Sequence, residues 1–208
     1  MEFLFLIVIL IFSIVIHEVS HGAMANYLGD PTAKNAGRLT LNPLKHLDPV
    51  GSVILPVLLI LTTGSGIGWA KPVPINPLNF RDQKYGSFKS AAAGPAANLA
   101  IALIFGFMIR FSFSLLPSLL PSSLIEMFAY IVFINILLAV FNLMPIPPLD
   151  GSHLLFAFLP YSMQNIKIFL TQFGFFILIF LLFFFPWFQI FLNYLVSFIF
   201  SLITGAPF

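Results

Sequence analysis

IVIHEVSHGAM, residues 14–24, sets two histidines and a glutamate inside a run that is otherwise apolar. From Phe3 to Ile16 there is no charged side chain and a single hydroxyl, Ser13. At about 1.5 Å per residue, the stretch from Phe3 to about Leu28 is long enough to cross the roughly 30 Å hydrocarbon core of a bilayer. Ionisable groups at such depth cost on the order of 2.5–3.5 kcal/mol each on insertion scales, and they usually mark function. His17 and His21 are spaced i, i+4, so on a helix they stack on one face and converge on one ion. Glu18 lies one residue round, placed to hydrogen-bond a water on that ion without binding it. This is the H-E-x-x-H arrangement of a zinc hydrolase, with two ligands and a general base. The plainer alternative is a set of interhelical hydrogen bonds.

The rest of the chain agrees with a membrane setting. Of 208 residues, 60% are hydrophobic, 8% are charged and 27 are phenylalanine, more apolar surface than a soluble domain can cover. The length suits one domain over residues 1–208, a bundle of about five to six transmembrane helices, and no regulatory domain is expected beside it. The opening run lacks the basic start and small-residue cleavage site of a secretory signal and reads as an uncleaved first span. There is no cysteine, so any metal must be held by imidazole and carboxylate. A net charge of +2 gives no reason to expect nucleic acid as a partner.

Gly29-Asp30-Pro31 ends the first span. An apolar run from Val50 to Leu61 contains Pro56 and is too short for an ordinary helical span. Further spans are expected at Ala91–Phe113, about Leu124–Leu143, Ile166–Phe185 and Trp187–Ile203, with a short apolar piece at His153–Leu159. Seven of the nine Lys and Arg residues fall between residues 30 and 89, which places residues 29–49 and 64–90 on the cytoplasmic side. Both loops lie there only if residues 50–63 dip in and return, a re-entrant segment. A short tilted span is the alternative.

Two imidazoles leave a catalytic zinc one protein ligand short. Asp150, His153, His46, Asp48 and Glu126 are the candidates. Asp150 is favoured, because Pro145, Pro147 and Pro148 in FNLMPIPPLDG prevent a continuous helix and let extended backbone aim a carboxylate inward. Its other reading is the N-cap of a helix beginning near Gly151. His153 is the next choice, and Glu126 sits too near the start of a span. Zinc held by two imidazoles and a carboxylate, with an open fourth position, lowers the pKa of its bound water to about 7; Glu18 would take that proton and later give it to the leaving amine. A shared ion also favours the re-entrant reading, since it needs the later half of span one and the end of the 124–143 span on the same side.

HEVSH, NPLKHLDPVGS, GWAKPVPINP, AAAGPAANL and FNLMPIPPLDG follow one another over residues 17–151, and in this the chain resembles the site-2 protease family of intramembrane zinc metalloproteases. The resemblance implies one zinc ion per chain held by His17, His21 and Asp150, with Glu18 as catalytic base and a membrane-spanning protein helix as substrate. It is to the small class without a PDZ or CBS domain. The expected setting is the lipid bilayer of a bacterial inner membrane, with the active site nearer the cytoplasmic side. No feature of the sequence specifies an oligomer.

Asn142 precedes Asp150 by eight residues and is a candidate for the oxyanion or the substrate backbone, or for a helix-packing hydrogen bond. Asn135 lies on nearly the same helical face. In AAAGPAANLA the small residues allow close helix approach, with Asn98 a polar exception. GRLTLN alternates with period two and WAKPVPI can run extended, so short β-strands are expected beside the re-entrant segment, offering an edge to an unwound substrate. Two other readings compete with a protease: a metal transporter using the same His and Asp residues, and a non-catalytic homologue that binds membrane helices. The glutamate between the histidines and the single site argue against transport.

Overall fold

The computed structural model describes residues 2–48, 71–115 and 121–206. Its elements are α1 (Glu2–Tyr27), α2 (Thr32–Asn35), α3 (Gly86–Leu115), α4 (Ser122–Asn142), α5 (Asp150–Phe158), α6 (Gln164–Phe184) and α7 (Pro186–Thr204), with short 3-10 turns between them. Five of these helices, α1, α3, α4, α6 and α7, are long and apolar enough to cross a membrane. The chain is a multi-pass membrane protein, an all-α bundle. The segment read as re-entrant, residues 50–63, lies outside the described residues.

The spans follow the apolar runs, and their ends follow local chemistry. Helix α3 starts a turn earlier than its apolar run because Asp82 Oδ1 accepts from Lys84 N and Tyr85 N, which satisfies amides just ahead of the first turn. Pro186 opens α7, where its fixed φ suits a first helical turn. Gly205 closes α7 in the left-handed region at φ 76°, a conformation that favours glycine.

Buried residues of α3 (Ala102, Ile109), α4 (Val132, Ile136, Val140) and α7 (Leu192, Val196, Phe200, Ile203) form the core. Lipid tails are as apolar as these side chains, so close packing, not exclusion from water, holds the helices together. Gly106 shows how close that packing is, since a Cβ there would stand 2.3 Å from Ile203 Cγ2. Helix α1 packs on α3 and α4, and α6 packs against α7 at the edge. Only Gly174 and Leu178 of α6 are buried, while Phe169, Phe173, Phe176, Phe180, Phe183 and Phe184 face outward, as a lipid-facing helix requires.

Among the described residues there is no strand, which corrects the expectation drawn from GRLTLN and from residues 71–75 of WAKPVPI; residues 69–70 lie outside the described residues. In the first segment, side chains take over the local bonding: Thr40 Oγ1 accepts from Asn42 N, Asn42 Oδ1 from Leu44 N, and the Thr40 carbonyl bonds the His46 ring. Such bonds compete with a ladder. Residues 71–76 run without regular structure, but Lys71 N donates to His46 O, Val73 N to Glu18 and Asn76 N to Asp30. Pro72 and Pro74 have no N–H to give.

Both loops meet at one end of the bundle. Arg81 N donates to Leu28 O over 3.0 Å. The fully buried Asp30 carboxylate accepts from Asn76 N at 2.7 Å, Asn79 Nδ2 at 2.8 Å, and both the amide and hydroxyl of Thr32. The turn after α1 is thereby tied to the segment that leads into α3.

Candidate metal centre

Helix α1 carries His17 and His21 on the face that meets α3, about 15 Å and about 9 Å from its end at Tyr27 by helical rise. Both are buried. The third residue arrives from the break after α4. Prolines 145, 147 and 148 interrupt the helix, two tight turns (Ile146 N to Met144 O, Leu149 N to Ile146 O) carry the chain back, and Asp150 enters as the first residue of α5. The N-cap is Leu149, and the Asp150 carboxylate points at the histidines. Gly151 lies in a helix, and close approach explains it: a Cβ would meet the Leu143 carbonyl oxygen at 2.1 Å.

His17 Nε2 and His21 Nε2 stand 3.0 Å apart, and Asp150 Oδ2 lies 3.1 Å from the first and 3.2 Å from the second. Among the described residues this is the one group of His, Asp and Glu whose ligand atoms converge on a single point. His46 is buried elsewhere, its ring bonded to Thr40 O, and Asp48 and Glu126 do not join the group. His153, one helical turn beyond Asp150, lines the same cleft. Burial lowers its pKa.

The donor set fits a zinc ion. His21 Nδ1 lies 2.7 Å from the Ser90 carbonyl, which only accepts, so that nitrogen carries the proton and Nε2 keeps its lone pair in the neutral ring. His17 Nδ1 faces Asn98 Oδ1 at 2.6 Å in the same manner. Two imidazole nitrogens and a carboxylate oxygen then face one another at 3.0–3.2 Å, an arrangement that a shared zinc ion would make favourable. Neutral imidazoles whose outer N–H is already bonded are what zinc requires.

Glu18 points to the other side of the site, where its Oε2 accepts from Val73 N at 2.8 Å. A cleft of about 390 Å³ opens over the group, lined by Pro72, Val73, Ile75 and Phe80 on one side and Asn142, Pro148 and His153 on the other. Asn142 spends one amide hydrogen on Leu138 O, a turn back in its own helix, and still lines the cleft. Asn135 does not reach it and is fully buried between helices. Sequence reasoning did not single out Ser90, Val73 or Ser13, although Ser13 precedes His17 by four residues and so shares its face.

The sequence profile of Peptidase family M50 matches residues 118–182. "Putative zinc metalloprotease YwhC" of Bacillus subtilis is 37% identical over 155 residues, covering 73% of this chain and 67% of its own length. "Putative zinc metalloprotease Rip2" of Mycolicibacterium smegmatis is 34% identical over 171 residues, covering 82% of this chain and 63% of its own. Its namesake in Mycobacterium tuberculosis is 31% identical over 139 residues, covering 67% and 51%. The chain thus spans about half to two thirds of the length of these relatives. No solved structure matches it. Agreement between the His17, His21 and Asp150 donor set and relatives named for zinc leaves one assignment: the chain belongs to peptidase family M50, a family of zinc metalloproteases.

Proposed function

We propose that this chain is an intramembrane endopeptidase, one domain over residues 1–208, that hydrolyses a peptide bond in a transmembrane-helix substrate in a bacterial inner membrane, nearer the cytoplasmic side. The observation that carries the reading is the convergence of buried His17 and His21, on a helix of membrane length, with half-buried Asp150 beside Glu18.

His17, His21 and Asp150 would hold the zinc ion. When bound, zinc acts as a Lewis acid that makes a water nucleophilic near neutral pH and polarises the scissile carbonyl. The Glu18 carboxylate takes the proton of the attacking water and returns it to the leaving nitrogen. Val73 N–H fixes one of its oxygens and leaves the other for this task. Asn142, at the cleft wall, holds the substrate backbone or the developing oxyanion. A peptide bond in a helix is shielded by its own hydrogen bonds, so the substrate must enter locally unwound. The cleft, with Pro72, Pro77 and Pro148 in its lining, suits one extended strand of chain.

The test is incubation of the purified chain in detergent with a panel of helical membrane peptides, products mapped by mass spectrometry, beside Glu18→Gln. Cleavage by the wild type, lost by about 10²-fold or more in Glu18→Gln with zinc content unchanged, is expected. Cleavage that survives Glu18→Gln would remove the proposed base. Zinc lost from Glu18→Gln but kept in Asp150→Ala would reverse the two assignments.

A further inference from the structure

His17, unlike His21, does not bond its outer nitrogen to a backbone carbonyl. Its partner is Asn98 on α3, an amide that could present either oxygen or nitrogen. What decides is the next layer. Asn98 Nδ2 donates to the Ser13 carbonyl at 3.3 Å and to Asn135 Oδ1 at 2.8 Å. Asn135, on α4, is itself fixed, because its Nδ2 donates to the Ile131 carbonyl at 2.9 Å and to Ser13 Oγ at 3.0 Å. Asn98 and Asn135 are fully buried, and Ser13 nearly so.

Two backbone carbonyls, of Ser13 and Ile131, can only accept. They oblige both amides to turn their nitrogens toward them. Asn135 then offers oxygen to Asn98, and Asn98 offers oxygen to His17. The His17 proton is therefore held on Nδ1, and the Nε2 lone pair is left facing His21 and Asp150. A reversed Asn98 would set its N–H₂ against His17 Nδ1 and favour the proton on Nε2, where it would block a metal.

We infer that Asn98 and Asn135 are positioning residues of the metal centre: a relay across α3 and α4, anchored on the Ser13 and Ile131 carbonyls, selects the metal-binding tautomer of His17. The relay joins α1, α3 and α4 at the level of the site. It rests on the reading of His17 as a zinc ligand.

The experiment measures zinc affinity of the purified chain in detergent by competition with a chelator, and the Nδ1–H signal of His17 in the zinc-loaded, ¹⁵N-histidine-labelled protein. Asn98→Leu, similar in shape but unable to accept, should weaken zinc 10- to 100-fold, the usual cost of losing such a partner, and abolish the slowly exchanging Nδ1–H signal. Asn135→Leu, which frees Asn98 to reverse, should weaken zinc by up to about tenfold. Asn98→Asp should restore affinity to within about threefold of wild type, because a side-chain oxygen there still accepts from His17 Nδ1–H. Wild-type affinity in Asn98→Leu, or an Asn98→Asp variant as weak as Asn98→Leu, would overturn the relay and leave only packing. Should Asn98→Leu fail to fold, an unchanged affinity and Nδ1–H signal in Asn135→Leu would overturn it as well. A wild-type chain that binds no zinc would instead sink the metal-centre reading itself.

Discussion

Val73 holds Glu18: its backbone N–H donates to Glu18 Oε2 over 2.8 Å, so the proposed base is oriented by a segment 55 residues along the chain. Pro72 and Pro74 flank the donor and hold it extended. Val73→Pro removes the N–H while keeping an extended backbone, and should lower cleavage of a helical peptide by about 10²-fold, the scale of a base displaced by about an ångström, with zinc content unchanged. Val73 also packs its side chain near Gly22, and Val73→Ala is the control for that contact. Equal losses in the two variants would assign the effect to packing.

The two loops tied by Leu28 O to Arg81 N and by Asp30 to Asn76 and Asn79 must share one side of the membrane. The chain has no cysteine, so single cysteines report cleanly. Lys34→Cys and Lys84→Cys, both at exposed positions, should be labelled from the cytoplasmic face by an impermeant thiol reagent, and Ser123→Cys, at the start of α4, from the opposite face. Labelling of positions 34 and 84 from opposite faces would break the loop pairing, and the access side of the cleft would have to be reassigned.

Much of this was legible in the sequence, for particular reasons. The five spans were readable because lipid demands unbroken apolar runs, and the pairing of His17 with His21 because a helix stacks i on i+4. Asp150 was proposed because three prolines break the helix before it, although it sits on the first turn of α5 and not on the extended backbone expected. The groups that orient these side chains were not readable: Val73 N–H, Ser90 O and Ile131 O are backbone atoms, which any residue supplies. The strands expected at GRLTLN failed because period-two alternation is a weak signal beside Thr40 and Asn42, whose oxygens bond neighbouring amides in place of a ladder. Asn135 was read with Asn142 as one face, yet it turns inward to Asn98 and Ser13.

Acid should loosen the clamp around Asp30 before the bundle. Burial pushes the Asp30 carboxyl up, but hydrogen bonds from Thr32, Asn79 and the Asn76 amide outweigh it, and the pKa lies below the ordinary value. Because the folded pKa is the lower one, the unfolded chain takes the proton first as pH falls. The stabilisation is complete above about pH 4, the usual carboxylate range, and is lost as pH drops through the folded value. Asp30→Asn should flatten that part of the profile and lower stability at pH 7. Thermal unfolding in detergent between pH 7 and pH 3 measures both. A wild type and an Asp30→Asn variant that lose stability in parallel below pH 4 would exclude Asp30 as the source.

Gly94 makes the metal centre possible by having no side chain. It lies within α3 where that helix crosses α1, and a Cβ there would stand 2.4 Å from His21 Nε2 and 2.7 Å from His17 Cε1. The obstructed atom is the proposed metal-binding nitrogen of a ring whose other nitrogen is pinned to Ser90 O at 2.7 Å, so the imidazole cannot turn aside without losing that bond. Elsewhere in a helix, alanine in place of glycine stabilises by roughly 0.5–1 kcal/mol. Gly94→Ala therefore sets two effects against each other at one position: a better helix former and a blocked site. The second should win locally, with zinc affinity falling more than about tenfold, comparable to loss of an orienting partner, and cleavage falling with it. Helical content by circular dichroism should stay at the wild-type level. Zinc bound by Gly94→Ala as tightly as by the wild type would mean that α3 does not approach the histidines this closely, and the convergence of His17, His21 and Asp150 would need a different packing of α1 on α3.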